Sequence, residues 1–207
     1  MQKKYITIVF DDGPCVPMRE IIDKFINYDF KCGFAIVGNQ IKNDRLELLK
    51  YAIDNGFELV SHSHTHVDLR KLTKKEIIDE LMSPINTVRE LFGYEIKLAR
   101  LPGLLIDDYV AEVVKDLNLP LLGSGLKSGG DCYDTTTAET ISESMINSVY
   151  DGAVGCMHVK PNTAIALDTI LPAFKEMGYE IVTPDELFRI KGIKELPLGV
   201  NIKNCDL

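Results

Sequence analysis

Four histidines and one pair of adjacent aspartates are the residues of this 207-residue chain whose types and spacing suit them to chemistry. Three of the histidines fall in Ser61-His62-Ser63-His64-Thr65-His66, and the fourth closes Gly155-Cys156-Met157-His158. His62 and His66 stand four residues apart, a spacing that puts both side chains on one side of a helical turn, so they can share one ion. His64 would then point elsewhere. Imidazole nitrogen and carboxylate oxygen bind zinc at about 2.0–2.2 Å, and two histidines with one carboxylate leave a position open for water. Phe10-Asp11-Asp12-Gly13-Pro14 can supply that carboxylate. Two neighbouring aspartates can divide the labour, one binding the metal while the other takes a proton from the attacking water. The Gly-Pro pair turns the chain sharply behind them. Cys15 adjoins the motif but lies too near Asp12 to be preferred over a histidine as a ligand.

Two further segments carry candidates. In Arg100-Leu101-Pro102-Gly103 the arginine can hold a carboxylate by paired hydrogen bonds, and the bend can present a backbone N–H to a developing oxyanion. The stretch Ser124–Thr137 reads as one long loop rich in Gly, Ser, Thr and Asp, and it offers Asp131 and Asp134. Loops of that length are often functional.

The elements that must position these residues alternate. Apolar runs at Tyr5–Phe10, Cys32–Val37, Phe57–Val60, Ile96–Ala99, Leu119–Leu122, Ala153–Met157 and Tyr179–Val182 read as strands, with helical spacing between them. Asn43 or Asp44 can cap a helix bearing Leu46, Leu49 and Ile53 that ends at Gly56. Thr73 and Glu76 form a capping-box pattern ahead of Ile77, Leu81, Ile85, Val88 and Phe92, with Gly93 as the stop. Thr183-Pro184-Asp185-Glu186 opens a last helix in the same way. Strand and helix in alternation imply parallel strands joined by crossovers. The expectation is an α/β barrel of about seven parallel strands in a single domain over residues 1–207, with an open doubly wound sheet as the alternative. All four histidines then lie at carboxyl ends of strands, where α/β barrels gather their active sites.

Composition narrows the partners. A net charge of -8 argues against nucleic acid or an anionic membrane, because phosphate binding needs a basic field. No run approaches the roughly 18 apolar residues of a membrane span. Met1-Gln2-Lys3-Lys4-Tyr5 leads straight into a strand with no export signal, and five cysteines form no C-x-x-C pair. Both features point to a cytoplasmic protein with free thiols, or an extracellular one if an export segment was trimmed.

Taken in order, these residues resemble the polysaccharide deacetylase family, the NodB-like domain of carbohydrate esterase family 4. Phe10 to Pro14 looks like its first motif, His62 to His66 its second, Arg100 to Pro102 its third, and Met157-His158 its fifth. Cys32 to Gly38, Asn55 to Val60 and Met177 to Thr183 read like its connecting segments, so the similarity covers roughly residues 5–190. The resemblance implies a distorted (β/α) barrel and a divalent metal, Zn2+ or another such as Co2+ or Ni2+, held by Asp12, His62 and His66. It implies Asp11 as the base, Arg100 as its orienting partner, His158 as the acid that protonates the leaving amine, and Gly103 as the oxyanion N–H. The substrate implied is an acetylated amino sugar that loses its N-acetyl group. Two departures stand out. Val159 follows His158 where the family has Asp, and the chain has no Trp for the fourth motif. Asp134 or Asp131 is expected to supply the missing carboxylate, and Tyr133 the aromatic surface. The rival expectations are a metal- and sugar-binding domain that has lost catalysis, and a hydrolase of an O-acetyl ester or related amide.

Overall fold

Alternation along the first strand divides the interior in two. The computed structural model describes residues 3–207; Met1 and Gln2, with which the leader-free start was read, lie outside the described residues. In β1 (Lys4–Gly13) successive side chains point to opposite faces. Ile6, Ile8 and Phe10 therefore join one buried cluster and Val9 another. The larger cluster lies between strands and helices. There Phe10 meets Phe25 of α1 (Pro17–Asn27) edge to face at 5.6 Å and stacks on Phe34 of β2 (Gly33–Ile36) at 5.7 Å. The smaller cluster gathers Val9, Ala35, Val60, Leu98, Leu122, Val154 and Ile202 on the inner side of the strands.

The strands form a distorted (β/α) barrel. β3 (Glu58–Ser61), β2, β1 and β5 (Val154–His158) pair in that order, all parallel, and β6 (Tyr179–Ile181) pairs with the start of β1. β4 (Leu121–Leu122) and β7 (Asn201–Ile202) make a separate parallel pair. Single bridges Ser61–Ala99 and Ala99–Leu121 lead from β3 to β4, and Ala153–Asn204 links the chain after β7 to the entry of β5. One side of the barrel is thus held by ladders and the other by isolated bridges and the short β4–β7 pair. The remaining helices are α2 (Leu46–Asp54), α3 (Lys74–Phe92), α4 (Asp108–Asp116), α5 (Ala138–Ser148), α6 (Pro161–Glu176) and α7 (Pro184–Ile190). No helix among the described residues is long and apolar enough to cross a membrane.

Several expectations are corrected. Ile96–Ala99 is no strand. It contributes one bridge position at Ala99, because Pro102 brings no N–H and the chain turns at Pro102–Leu104. The seventh strand is Asn201–Ile202, too short to show a period. Neither Asn43 nor Asp44 caps α2. They lie in a 3-10 turn, and the helix starts after Arg45, whose guanidinium is drawn to the Pro14 carbonyl at 2.7 Å. The Thr73–Glu76 box is made in both directions, and Gly93 ends α3 at φ 64°, where a side chain would be strained. At α7 the box is half made. Thr183 accepts the Glu186 N–H, but the Glu186 carboxylate turns to Arg189.

Leu187 and Phe188 of α7 belong to the inner cluster, and α7 is anchored by Glu58 at the start of β3. Glu58 is 8% exposed and accepts the Asp185 N–H at 2.8 Å. Burial pushes its carboxyl up to about 7. The folded state therefore holds a proton that the unfolded chain releases near its ordinary carboxylate value, and stability falls as pH rises from there through about 7. We expect Glu58→Gln, which can accept the same bond, to remove that slope. Thermal unfolding from pH 4 to 8 should show it, with the variant gaining at most about 3 kcal/mol over the parent at the alkaline end.

Candidate functional site

The two aspartates reach one site because β1 breaks its own alternation. Asp11 follows Val9 to the inner face, and regular pleating would send Asp12 outward with Phe10. The β1–β2 register slips between Phe10 and Gly13, so three steps on β1 span two on β2. Asp12 takes φ 69°, a left-handed conformation that aspartate tolerates better than most residues. Such bulges re-aim side chains beside functional sites. Asp12 Oδ1 consequently stands 3.3 Å from His66 Nε2 and 3.7 Å from His62 Nε2.

The histidines come together by another route than the helical turn expected from their spacing. They lie in an irregular loop after β3, with Ser63 and His66 both at φ 60°. The rings pack at 4.9 Å between centroids. His62 is buried, and its Nδ1–H donates to the Arg100 carbonyl at 2.8 Å, which turns the Nε2 lone pair towards Asp12. Burial lowers the His62 pKa and favours the neutral, ligating form. His64 turns away, its ring 3.0 Å from Ser83. Glu80 of α3 grips the loop from below: it accepts the N–H groups of His64 and Thr65, each at 2.8 Å, and the Thr65 hydroxyl at 2.6 Å. Nothing in the sequence marks Glu80, because its partners are backbone groups of a loop.

The donor set of Asp12, His62 and His66 fits one small divalent cation. Each offers one ligand atom, and these atoms lie within 4.8 Å of one another. Ligand atoms in tetrahedral array at zinc bond lengths stand roughly 3.3–3.6 Å apart. The separations of 3.3 and 3.7 Å already approach that span.

Asp11 is kept out of that set by Arg100. The guanidinium is fully buried and donates to Asp11 Oδ1 at 3.0 Å. It also bonds the carbonyls of Val9, Leu122, Gly123 and Gly155. All five donors of the fork find an acceptor. Burial alone would raise the Asp11 carboxyl. Arg100, by its charge and its hydrogen bond, leads the effects that more than offset it, so Asp11 is held below the usual carboxylate range. Its other oxygen, Oδ2, accepts from the Cys156 thiol at 3.3 Å.

Across the site, His158 is the register partner of Asp11 in the β1–β5 ladder. Its carboxylate partner is Asp131 and not Asp134. Asp131 Oδ1 lies 3.0 Å from His158 Nδ1, while Oδ2 accepts the His158 N–H at 2.6 Å and the Thr163 hydroxyl at 3.2 Å. Asp134 is exposed and pairs with Lys160 at 2.7 Å, because its place in the loop faces solvent. Burial depresses the His158 pKa, but the Asp131 bond and charge outweigh it, and the net shift is upward. Tyr133 is exposed; with Asp131, Asp134, Lys160, Pro161 and Asn162 it lines a cavity of about 150 Å³ beside His158. Gly103 is exposed in the Pro102–Leu104 turn at φ 61°.

Two outcomes test this arrangement. Arg100→Met should cost about 3–5 kcal/mol in denaturant unfolding, since Asp11 would remain buried without its partner. Glu80→Ala should weaken cation binding about tenfold by calorimetry while leaving the far-ultraviolet spectrum of the fold intact.

The profile of the polysaccharide deacetylase family matches residues 1–122, more than half of the chain. A bifunctional xylanase/deacetylase of Pseudobutyrivibrio xylanivorans is 26% identical over 97% of this chain and 34% of its own length. The peptidoglycan-N-acetylglucosamine deacetylase PgdA of Listeria monocytogenes is 28% identical over 89% of this chain and 39% of its own. This chain thus spans little more than a third of these relatives. A solved family 4 acetyl xylan esterase of Clostridium thermocellum, in complex with a cobalt ion, superposes with a TM-score of 0.90 at 27% identity, over 99% of this chain and 100% of that one. On these matches, and with Asp12, His62 and His66 convergent beside Asp11, the chain belongs to the polysaccharide deacetylase family.

Proposed function

We propose that this protein is a metal-dependent hydrolase that removes N-acetyl groups from an amino sugar within an oligo- or polysaccharide. The observation that carries the reading is the grouping of three ligand atoms beside a carboxylate held ionised and an imidazole held basic. Asp12, His62 and His66 would hold a divalent cation, Zn2+ or a neighbour such as Co2+ or Ni2+, which when bound supplies Lewis acidity to the acetyl carbonyl and to water. Cobalt in the Clostridium thermocellum esterase supports a metal of this class. Asp11 takes the proton of the attacking water, and Arg100 keeps its carboxylate aimed and charged. In this reading the Gly103 N–H, in the turn after Arg100, donates to the developing oxyanion. His158 delivers the proton that the departing nitrogen needs, and Asp131 keeps that proton on the ring.

The same residues could serve an O-acetyl ester, the bond named for the xylan esterase relative. An alkoxide leaves more readily than an amide anion, so the buried Asp131–His158 pair favours the N-acetyl reading. The pair also speaks against a domain that has lost catalysis, because Asp131 supplies the carboxylate absent at Val159. The five unpaired cysteines support work in a reducing, cytoplasmic setting. The acidic balance of the chain fits a sugar partner and not a nucleic acid.

Acetate release from N-acetylglucosamine oligomers and from acetylated xylan tests the proposal. We expect the oligomers to be preferred, chelation to abolish turnover, and Asp11→Asn to lower kcat by about 10²–10⁴. The acid limb of the pH profile should lie below the usual carboxylate range and the alkaline limb above the usual histidine value, following the directions of Asp11 and His158. Asp131→Asn should move the alkaline limb down. Turnover indifferent to chelator or to Asp11→Asn would overturn the reading.

A further inference from the structure

A second group of ligand atoms adjoins the first. Asp11, Cys156 and His158 each offer one atom, and these also lie within 4.8 Å of one another. Strand geometry puts them there. Asp11 and His158 are register partners, and Cys156 lies two residues before His158, on the same face of β5. We propose that Asp11, Cys156 and His158 form a second, inhibitory cation site that takes thiophilic divalent ions such as Zn2+ and Cd2+.

The chemistry differs from that of the first site. Carboxylate, imidazole and thiolate together are an ordinary zinc donor set, softer than one carboxylate with two imidazoles. Asp11 Oδ1 stays on Arg100, so only Oδ2 is offered, and Cys156 Sγ already lies 3.3 Å from it. His158 Nδ1 faces Asp131, which leaves the other ring nitrogen to ligate while the carboxylate behind raises its basicity. Binding displaces the thiol proton to solvent, and the ion then rests on thiolate, carboxylate and imidazole. No electron changes hands. The two sites touch along one edge, since Asp11 Oδ2 is 3.8 Å from His62 Nε2. On the reading of Asp11 and His158 as the groups that take and give the proton, an ion here occupies both lone pairs at once. Excess zinc would then switch off the enzyme that the first equivalent switches on.

Metal binding tests the site apart from activity. Equilibrium dialysis with Zn2+ should load two equivalents, and titration with Co2+ should raise a thiolate-to-metal charge-transfer absorption in the near ultraviolet with the second equivalent. Acetate release should climb with the first equivalent and fall with the second. Cys156→Ser keeps a donor to Asp11. It should retain the first equivalent, lose the absorption and the fall in rate, and bind the second equivalent at least about tenfold more weakly. Cys156→Ala should behave alike if serine disturbs the fold. Asp12→Ala separates the two readings: turnover should vanish while the Cys156-dependent absorption persists. A single equivalent in the parent protein, or a second equivalent and absorption that survive both Cys156 substitutions, would overturn the proposal.

Discussion

One buried guanidinium ties the barrel to its chemistry. Arg100 has no exposed surface, and its fork bonds four backbone carbonyls and one carboxylate. The carbonyls belong to β1, β5 and the end of β4, elements on either side of the part of the ring that isolated bridges hold. A charge taken out of water is tolerated only when fully partnered. Asp11 is the one anion among those acceptors, so a buried Arg100 and an ionised Asp11 stabilise each other within one network. Lysine could not replace the arginine, since an ammonium lacks the planar fork that reaches acceptors in several directions.

Around that fixed point the site is built where regular structure fails. Asp12, Ser63 and His66 all have positive φ, and each would face elsewhere in a regular strand or helix. Left-handed backbone costs of order 1 kcal/mol or more at a residue other than glycine. The surroundings sustain it. Ser63 Oγ accepts the His66 N–H, Glu80 holds the next two N–H groups, and the β1 bulge is pinned by the Val37 N–H on the Gly13 carbonyl. These bonds convert irregular chain into a rigid bracket, which is what a set of ligand atoms a few ångströms apart demands.

Much of this was legible in the residues, and the failures have physical causes. The alternation of Ile6, Ile8 and Phe10 against Val9 announces a strand buried on both sides, and the Thr73–Glu76 pattern announces a helix start that the structure reproduces bond for bond. The company of Asp12, His62 and His66 could be read from their placement at strand ends. The way they meet could not. A spacing of four suggests a helical turn, but the loop obeys Glu80, a residue on another element whose partners are backbone amides without side-chain identity. Ile96–Ala99 has a strand's composition, yet Arg100 and Pro102 leave it one bridging residue, Ala99. Asn201–Ile202 has too few residues for a period, and only pairing with β4 makes it a strand. Asp131 and Asp134 are both polar residues in a Gly-rich loop, and tertiary packing alone separates the one at 1% exposure from the one in solvent.

That separation also shows which carboxylate meets His158 where no aspartate follows it. Side chains on β5 alternate, so His158 faces the site and Val159 faces the other way, into the core beneath the helices. A carboxylate at 159 would need the chain to turn at once to reach the imidazole. Asp131 meets it directly, and it is held by the backbone N–H of His158 itself and by the Thr163 hydroxyl of α6. The loop that carries Asp131 is in turn fastened to the start of α6, where Asn162 Nδ2 donates to the carbonyls of Asp134 and Thr136 and Lys160 holds the Asp134 side chain. Lys160 and Asp134 thus support His158 without touching it. They fasten the loop against β5 so that its one buried carboxylate stays on the ring, and the hydrophobic Val159 completes the core that a charged residue in the same place would have opened.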